Sequence, residues 1–473
     1  MRRAVSTTWV AAVFVGVVLP SGAGPVPDSP IARVVRIAHE LDEAIGEDAV
    51  RDEITALATV APHRRAGTPF EIVARDWVYR RFLDAGLSNV RIEESPYLSW
   101  QPRRVGLFDS SASPADLEVR PIIGSPNTLP TGLTAPIVYV GRGESADYAK
   151  LSPADYVGRI HVVRRGGTHR FDKYIAAVQH GAVGFVFAHD VHEPDRNLIE
   201  TGSIVPLTSI PAVAIGAGDG DRLEEAWRNG IAPEVTLVVD AESRPSVTWN
   251  VIGEIPAAVS TQEFVVFGTH YDSHDVGPSV ADNAAGMGAT IAAARVLASR
   301  WSYARTIRVI AFGAEEIGLQ GSVVHAARTA PDILASCRLM ADIDVAGNGD
   351  AGAALNATGS PRSETATAAA MVAAALEYER RSGYGFKAET GEFPAGYASA
   401  SNDSASYAVG GCPTLALNKW PFAHYHTQYD TLDEIDWSDA RLTAVIAASI
   451  VAEYALGDDL TAGPTLRGAR KQR

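Results

Sequence analysis

The chain has 473 residues, 46% of them hydrophobic, and a formal net charge of −15 at neutral pH. That length supports more than one domain and a sizeable core, and so acidic a chain is a poor partner for nucleic acid or for anionic membrane surfaces. Its two cysteines, Cys337 and Cys412, are too few for a disulfide framework and lack zinc-finger spacing; the sequence leaves open whether they pair.

At the N-terminus, Arg2 and Arg3 precede the apolar run "WVAAVFVGVVLP" and the small residues "SGAG". That order reads as an export signal over residues 1–25, and a short N-terminal anchor is the other reading. The run is too short to span a bilayer as a helix, and no other segment reads as transmembrane. A secreted protein, extracellular or at the cell surface, is expected. Helical periodicity follows in "IARVVRIAHELDEAI", "AVRDEITALATV" and "PFEIVARDWVYRRFLDAGL", and then a strand in "NVRIEES". Residues 30–110 read as the first part of a larger domain.

From 111 to 245 the texture changes to short apolar strands, "APIVYVG", "GRIHVVRRG", "GAVGFVFAHD", "IPAVAIG" and "EVTLVVD", with one helix in "FDKYIAAVQHG". This reads as a small inserted α/β unit. From 246 to 457, after "TWNVIGEI", strands and helices alternate. The strands are "EFVVFG", "TIRVIAFG", "CRLMADID" and "PTLALN". The helices are "GMGATIAAARVLASR", "GSVVHAARTA", "SETATAAAMVAAALEYERR" and "DARLTAVIAASIVAEYAL". Continuous apolar strands between amphipathic helices predict an α/β fold whose mostly parallel mixed sheet is sandwiched by helices. The basic tail, within 458–473, reads as disordered.

In open α/β sheets, ligand sites gather beyond the carboxyl ends of the strands. Here "EFVVFG" runs into "THYDSH", "TIRVIAFG" into "AEEIG", "CRLMADI" into "DVAG", and "PTLALN" into "KWPFAHYHTQYD". His270, Asp272, Asp282, Glu315, Glu316, Asp344 and His426 are thereby placed to converge on one rim. Clustered buried carboxylates repel one another unless cations intervene. Imidazole plus carboxylate suits zinc, although manganese or cobalt could take the same donors. His270 and Asp272 lie two apart on an extended segment and face the same side, so one can ligate while the other orients it.

The motifs "HYDSH", "ADNAAG", "FGAEEIGLQGS", "DIDVAG" and "YHTQYDT", in that order, resemble the dinuclear-zinc aminopeptidase family, which is related to glutamate carboxypeptidases and transferrin receptors. The stretch "GRIHVVRRG…FDKYIAAVQHGAVGFVF" resembles the protease-associated domain inserted in that family. The resemblance implies two Zn2+ ions. It assigns His270 and Asp344 to one ion, Glu316 and His426 to the other, and Asp282 as a bridge between them. It makes Glu315 the general base, puts Asp272 behind His270, and implies a cis peptide between Asp282 and Asn283. Three carboxylate ligands and a bridging hydroxide would balance two divalent cations, and that hydroxide would attack a peptide bond.

Several neighbours compete for these roles. Asp342 shares a strand face with Asp344, but Asp344 aligns with the family acid before the glycine. His424 competes with His426, which the "YHT" context favours. His274 reads as a loop histidine lining the cleft, and His63 as packing. His161, His169, His180, His189 and His192 read as surface or capping groups. Glu389 and Glu392 read as a solvated loop, and Asp403, in "SNDS", as structural or near the substrate. The resemblance implies an exopeptidase acting on peptides or proteins, an aminopeptidase first. A carboxypeptidase or dipeptidase would need basic residues at the pocket, for which Lys419 and Arg381 are the candidates. A glutaminyl cyclase would use one metal, and a silent binding protein would have lost the ligands.

Overall fold

The computed structural model describes residues 30–457, apart from 110–115, 207–208, 275, 330, 351–352, 361–368, 370–371, 373–387 and 393–401. The expected export signal, the basic tail, Arg381 and most of the helix expected at 363–381 lie outside the described residues.

Three helices open the fold: α1 (Pro30–Ala44), α2 (Glu47–Val60) and α3 (Pro69–Asp84). The start of α3 is set by Thr68, whose hydroxyl accepts from Glu71 N, and by Pro69 in the first turn. The Glu71 carboxylate returns to Gly67 N at 2.5 Å, which satisfies a second free N–H. The strands follow as β1 (Ser88–Asp109), β2 (Asp116–Leu117), β3 (Val119–Ile123), β4 (Leu133–Tyr139), β5 (Ile160–Arg164), β6 (Gly184–Ala188), β7 (Gly202–Ser203) and β8 (Ala212–Ile215). They continue as β9 (Glu234–Ile255), β10 (Phe264–His270), β11 (Thr306–Phe312), β12 (Cys337–Ile343), β13 (Ala354–Ser360), β14 (Ala388–Glu392) and β15 (Thr414–Trp420). The longer helices among them are α4 (Arg170–Gln179), α5 (Ala217–Arg228), α6 (Ala285–Arg300), α7 (Gln320–Arg328), α8 (Ser404–Val409) and α9 (Trp437–Leu456).

One mixed sheet runs through the molecule in the order β14-β13-β15-β12-β10-β11-β9-β4-β5-β6-β8-β3-β7. Its centre, β11, β10, β12 and β15, is parallel. Along β10, Val265 and Phe267 join the core under α1, α2, α6 and α9, while Phe264 and Val266 face the core that holds Tyr407 of α8. Strands covered on both faces explain the unbroken apolar runs. Helix α6 owes its closeness to glycine: a Cβ at Gly288 would stand 2.5 Å from Ile54 Cγ1 of α2. Cys337, which opens β12, is disulfide-bonded to Cys412, with their Cα atoms 5.4 Å apart.

Several element assignments differ from the sequence reading, and the inserted unit carries α5 besides the single helix expected there. The strands expected at "EVTLVVD" and "TWNVIGEI" are one strand, β9, paired antiparallel with β1 from Ser88↔Glu254 to Asp109↔Val235. Its first half also pairs with β4 and its second with β11, so a single ribbon, about 70 Å long if fully extended, ties the inserted unit to the main sheet. Glu389 and Glu392, read as part of a solvated loop, lie on β14, which pairs in parallel with β13.

Candidate metal centre

Because β10, β11, β12 and β15 are parallel, their carboxyl ends share one edge. His270 is the last residue of β10, Asp344 directly follows β12, and Glu315 and Glu316 lie just past β11. His426 lies in the loop after β15, and Asp282 in the turn that enters α6.

The structure brings all of these together. His270 Nε2 is 3.2 Å from Asp282 Oδ1 and 3.3 Å from Asp344 Oδ1. On the other side, Asp282 Oδ2 is 3.0 Å from His426 Nε2, which is 3.1 Å from Glu316 Oε2. His274 Nε2 reaches that same Glu316 oxygen at 2.6 Å. The two oxygens of Asp282 thus face two groups that could each hold a metal ion, His270 with Asp344, and Glu316 with His426 and His274. All but the half-buried Asp344 are buried. Asp282 Oδ1, Glu316 Oε1 and His426 Nε2 are buried without a hydrogen-bond partner. Three carboxylates converging with orphaned donor atoms fit divalent cations, whose charge removes the repulsion and whose bonds use the lone pairs.

A second layer holds these groups in place. Asp272 lies behind His270, with Oδ1 3.5 Å from Nδ1. It also accepts from the amides of Glu315 (3.0 Å) and Glu316 (3.4 Å), which fixes the turn beyond β11. Asp430 accepts from the amides of Ala281 (2.7 Å) and Asp282 (3.0 Å). Asn283, joined to Asp282 by a cis peptide, donates to Thr269 Oγ1 and to the Ile343 carbonyl. A Cβ at Gly286 would meet Asn283 Oδ1 at 2.2 Å, so glycine is required beside it. Arg64 donates to the carbonyls of Tyr271 (2.7 Å), Pro278 (2.6 Å) and Ser279 (2.7 Å), bracing the loop that carries His274.

The electrostatics follow from burial and charge. Burial opposes charge on His270, yet Asp272, Asp282 and Asp344 outweigh it and raise its pKa well above the usual imidazole value. Burial pushes the Glu315 carboxyl well above the usual carboxylate range; His270 works against this, while Asp344, Glu316 and Asp403 add to it. A carboxyl that holds a proton readily suits a group that must take one and pass it on. Burial, reinforced by Asp344, raises Asp342 to about 7.

The competing residues lie elsewhere. Asp342 accepts from Ser404 N at 3.2 Å rather than meeting His270, and Asp403 is buried beside it. His424 is 2.7 Å from Glu193 and 3.4 Å from Glu434. Lys419 is buried against Asp439 at 3.1 Å. His274, read as a cleft histidine, stands in the cluster itself. The available signal was its place two residues after Asp272 on the same extended segment. Nothing in the sequence marks Asp430 and Arg64 as supports. Of the five inserted histidines, His161 and His189 are fully buried rather than on the surface. His161 makes two hydrogen bonds, to Tyr148 and Tyr156. His169 caps α4 through Phe171 N.

The chain is similar to known proteins. The family model "Peptidase family M28" matches residues 250–451, and the PA domain model matches residues 133–223. The chain is 32% identical over 221 residues to aminopeptidase YwaD of Bacillus subtilis, covering 45% of this chain and 44% of that protein. It is 27% identical over 309 residues to the probable lipoprotein aminopeptidase LpqL of Mycobacterium tuberculosis, covering 63% and 58%. The chain therefore spans about half the length of the curated relatives it matches. Among solved structures, it superposes on the aminopeptidase from Aneurinibacillus sp. strain AM-1 with a TM-score of 0.64 at 26% identity, covering 90% of this chain and 98% of that one. The M28 peptidase precursor from Shewanella amazonensis shares the fold, with a TM-score of 0.72 at 23% identity over 93% and 99% of the chains.

Proposed function

We propose that the chain, whose residues 250–451 match the peptidase family M28 model and whose residues 133–223 match the PA domain model, is an exported, zinc-dependent aminopeptidase with two metal sites. The observation that carries this reading is Asp282, whose two oxygens face two separate donor groups. One ion would be held by His270, Asp344 and Asp282. The other would be held by Glu316, His426 and Asp282, with His274 as an added donor. Residues 30–110 and 246–457 would form the catalytic domain around an insertion at 111–245.

Bound there, the two cations would lower the pKa of a bound water and polarise the scissile carbonyl. The chain's own part is proton handling and alignment. Glu315 takes the proton from the attacking water and delivers it to the departing amine. Asp272 fixes Glu315 through its backbone amide and holds His270 by its Nδ1 edge. The cations described near the centre are already engaged: Arg64 with carbonyls, Lys419 with Asp439, and Arg165 and Arg170 with Glu200. Glu315, Asp342 and Asp403, buried there, instead offer carboxyl oxygens that can accept from an ammonium group. That balance favours a substrate's free ammonium group over a free carboxylate, hence an aminopeptidase rather than a carboxypeptidase. Export rests on the Arg2–Arg3 signal pattern, and no described helix is long and apolar enough to cross a membrane.

The test is hydrolysis of aminoacyl anilides with free or acetylated amines, with and without a chelator, against Glu315→Ala. Chelator-sensitive cleavage of the free-amine substrates alone, abolished in the variant, is expected. Loss of residues from free C-termini, with the anilides untouched, would replace this reading with a carboxypeptidase.

A further inference from the structure

The loop that carries His426 is held from outside its own domain. His426 has a left-handed backbone, with φ 56°, a conformation uncommon for a non-glycine residue. Its hydrogen-bond partner is Thr201, which lies between β6 and β7 of the inserted unit. Thr201 N donates to the His426 carbonyl at 3.1 Å, and His426 Nδ1 donates to the Thr201 carbonyl at 3.3 Å. A carbonyl can only accept, so the contact places the ring proton on Nδ1 and turns the Nε2 lone pair toward Glu316 and Asp282.

Thr201 is in turn fixed by its neighbour. The Glu200 carboxylate, 4% exposed, is paired on one oxygen with Arg165 and on the other with Arg170, the latter at 2.6 Å. Arg165 also reaches across to the Phe422 carbonyl at 2.6 Å, on the His426 loop. Gly202 leaves the room this needs: a Cβ there would stand 2.0 Å from the Arg170 guanidinium.

We propose that Arg165, Glu200 and Arg170 of the inserted domain are positioning residues for the second metal site, acting through the Thr201 backbone on the orientation and tautomer of His426. This rests on the two-metal reading above. It makes the insertion part of the metal centre, whereas a pure access or edge-covering role would leave metal affinity alone. Partners that orient a ligating histidine are worth about 10–100-fold in metal affinity.

Zinc bound per chain is to be counted for the wild type and for Glu200→Gln during titration with a competing chelator. Absorption spectra of the cobalt-loaded proteins give a second readout of the ligand field. The wild type should hold two ions. Glu200→Gln should hold one as before and bind the other about 10–100-fold more weakly, with an altered cobalt spectrum and kcat recovering in excess zinc. Should that variant not fold, Arg170→Gln, which keeps the Arg165–Glu200 pair, should show the same split to a lesser degree. Two ions held as tightly as in the wild type, even with a lowered Tm, would overturn the positioning role and leave the metal centre intact. Fewer than two ions on the wild type would overturn the two-metal reading, and the positioning role with it.

Discussion

Arg64 offers a quantitative test of how the loop from Tyr271 to Ser279 is held. Its side chain is fully buried, and burial lowers its pKa to about 10, with Asp430 and Asp272 working against the shift. It is therefore charged at neutral pH. The guanidinium serves three carbonyls, of which Ser279 O also accepts from Ala284 N at 3.3 Å. Arg64→Met would take a charged donor from the Tyr271 and Pro278 carbonyls at about 1.5–3 kcal/mol each, on the order of 4 kcal/mol in total with the weaker third bond. Arg64→Lys, a single point charge without the fork, should lose an intermediate amount. The assay is urea unfolding of the zinc-loaded protein, read as the shift in midpoint at constant slope. Because the braced loop carries His274 and leads into Asp282, zinc content should fall in step. A loss under about 0.5 kcal/mol with unchanged zinc would refute the reasoning, because surface substitutions alone reach that scale.

Burial lowers the His161 pKa to about 4 from 6.5, and Tyr148 and the Tyr156 carbonyl satisfy the neutral ring. Its stability contribution is therefore present above pH 6.5 and lost as pH falls toward 4. Between pH 7 and 4 the wild type should lose roughly 3 kcal/mol more than His161→Gln, as read by denaturant titration across that range; parallel curves would contradict this. Removing the bond between Cys337 and Cys412, 75 residues apart, by double substitution to alanine should cost about 2–4 kcal/mol, measured the same way under non-reducing conditions. His274→Ala should weaken one zinc at least tenfold while sparing the other, and equal retention of both in a chelator titration would remove His274 from the donor set.

The parts of the fold that depend on local pattern were legible in the sequence. Strands covered on both faces wrote themselves as "EFVVFG" and "TIRVIAFG", and their parallel direction put His270, Glu315, Glu316 and Asp344 at one edge. The continuity of β1 and β9 was not legible. Pro96 and Pro102 in β1, and Pro245 in β9, are strand breakers by local rule, and residues 242–245 in the middle of β9 are exposed and mostly polar. Pairing along the whole length overrides both. Helix α5 carries Gly218 and Gly220 in its first turns, which masks its periodicity. The role of His274 is not legible locally, because Arg64, more than 200 residues away in sequence from Tyr271, braces the loop that brings it onto Glu316. Likewise the contact between Thr201 and His426 spans 225 residues and leaves no local trace.

The central claim is that Asp282 joins two metal sites, and an anomalous-difference map at the zinc edge from crystals of the zinc-loaded protein tests it most directly. The account predicts two peaks, one shared by Asp282 with His270 and Asp344, the other by Asp282 with Glu316 and His426. A single peak at saturating zinc, or peaks that bypass Asp282, would contradict it.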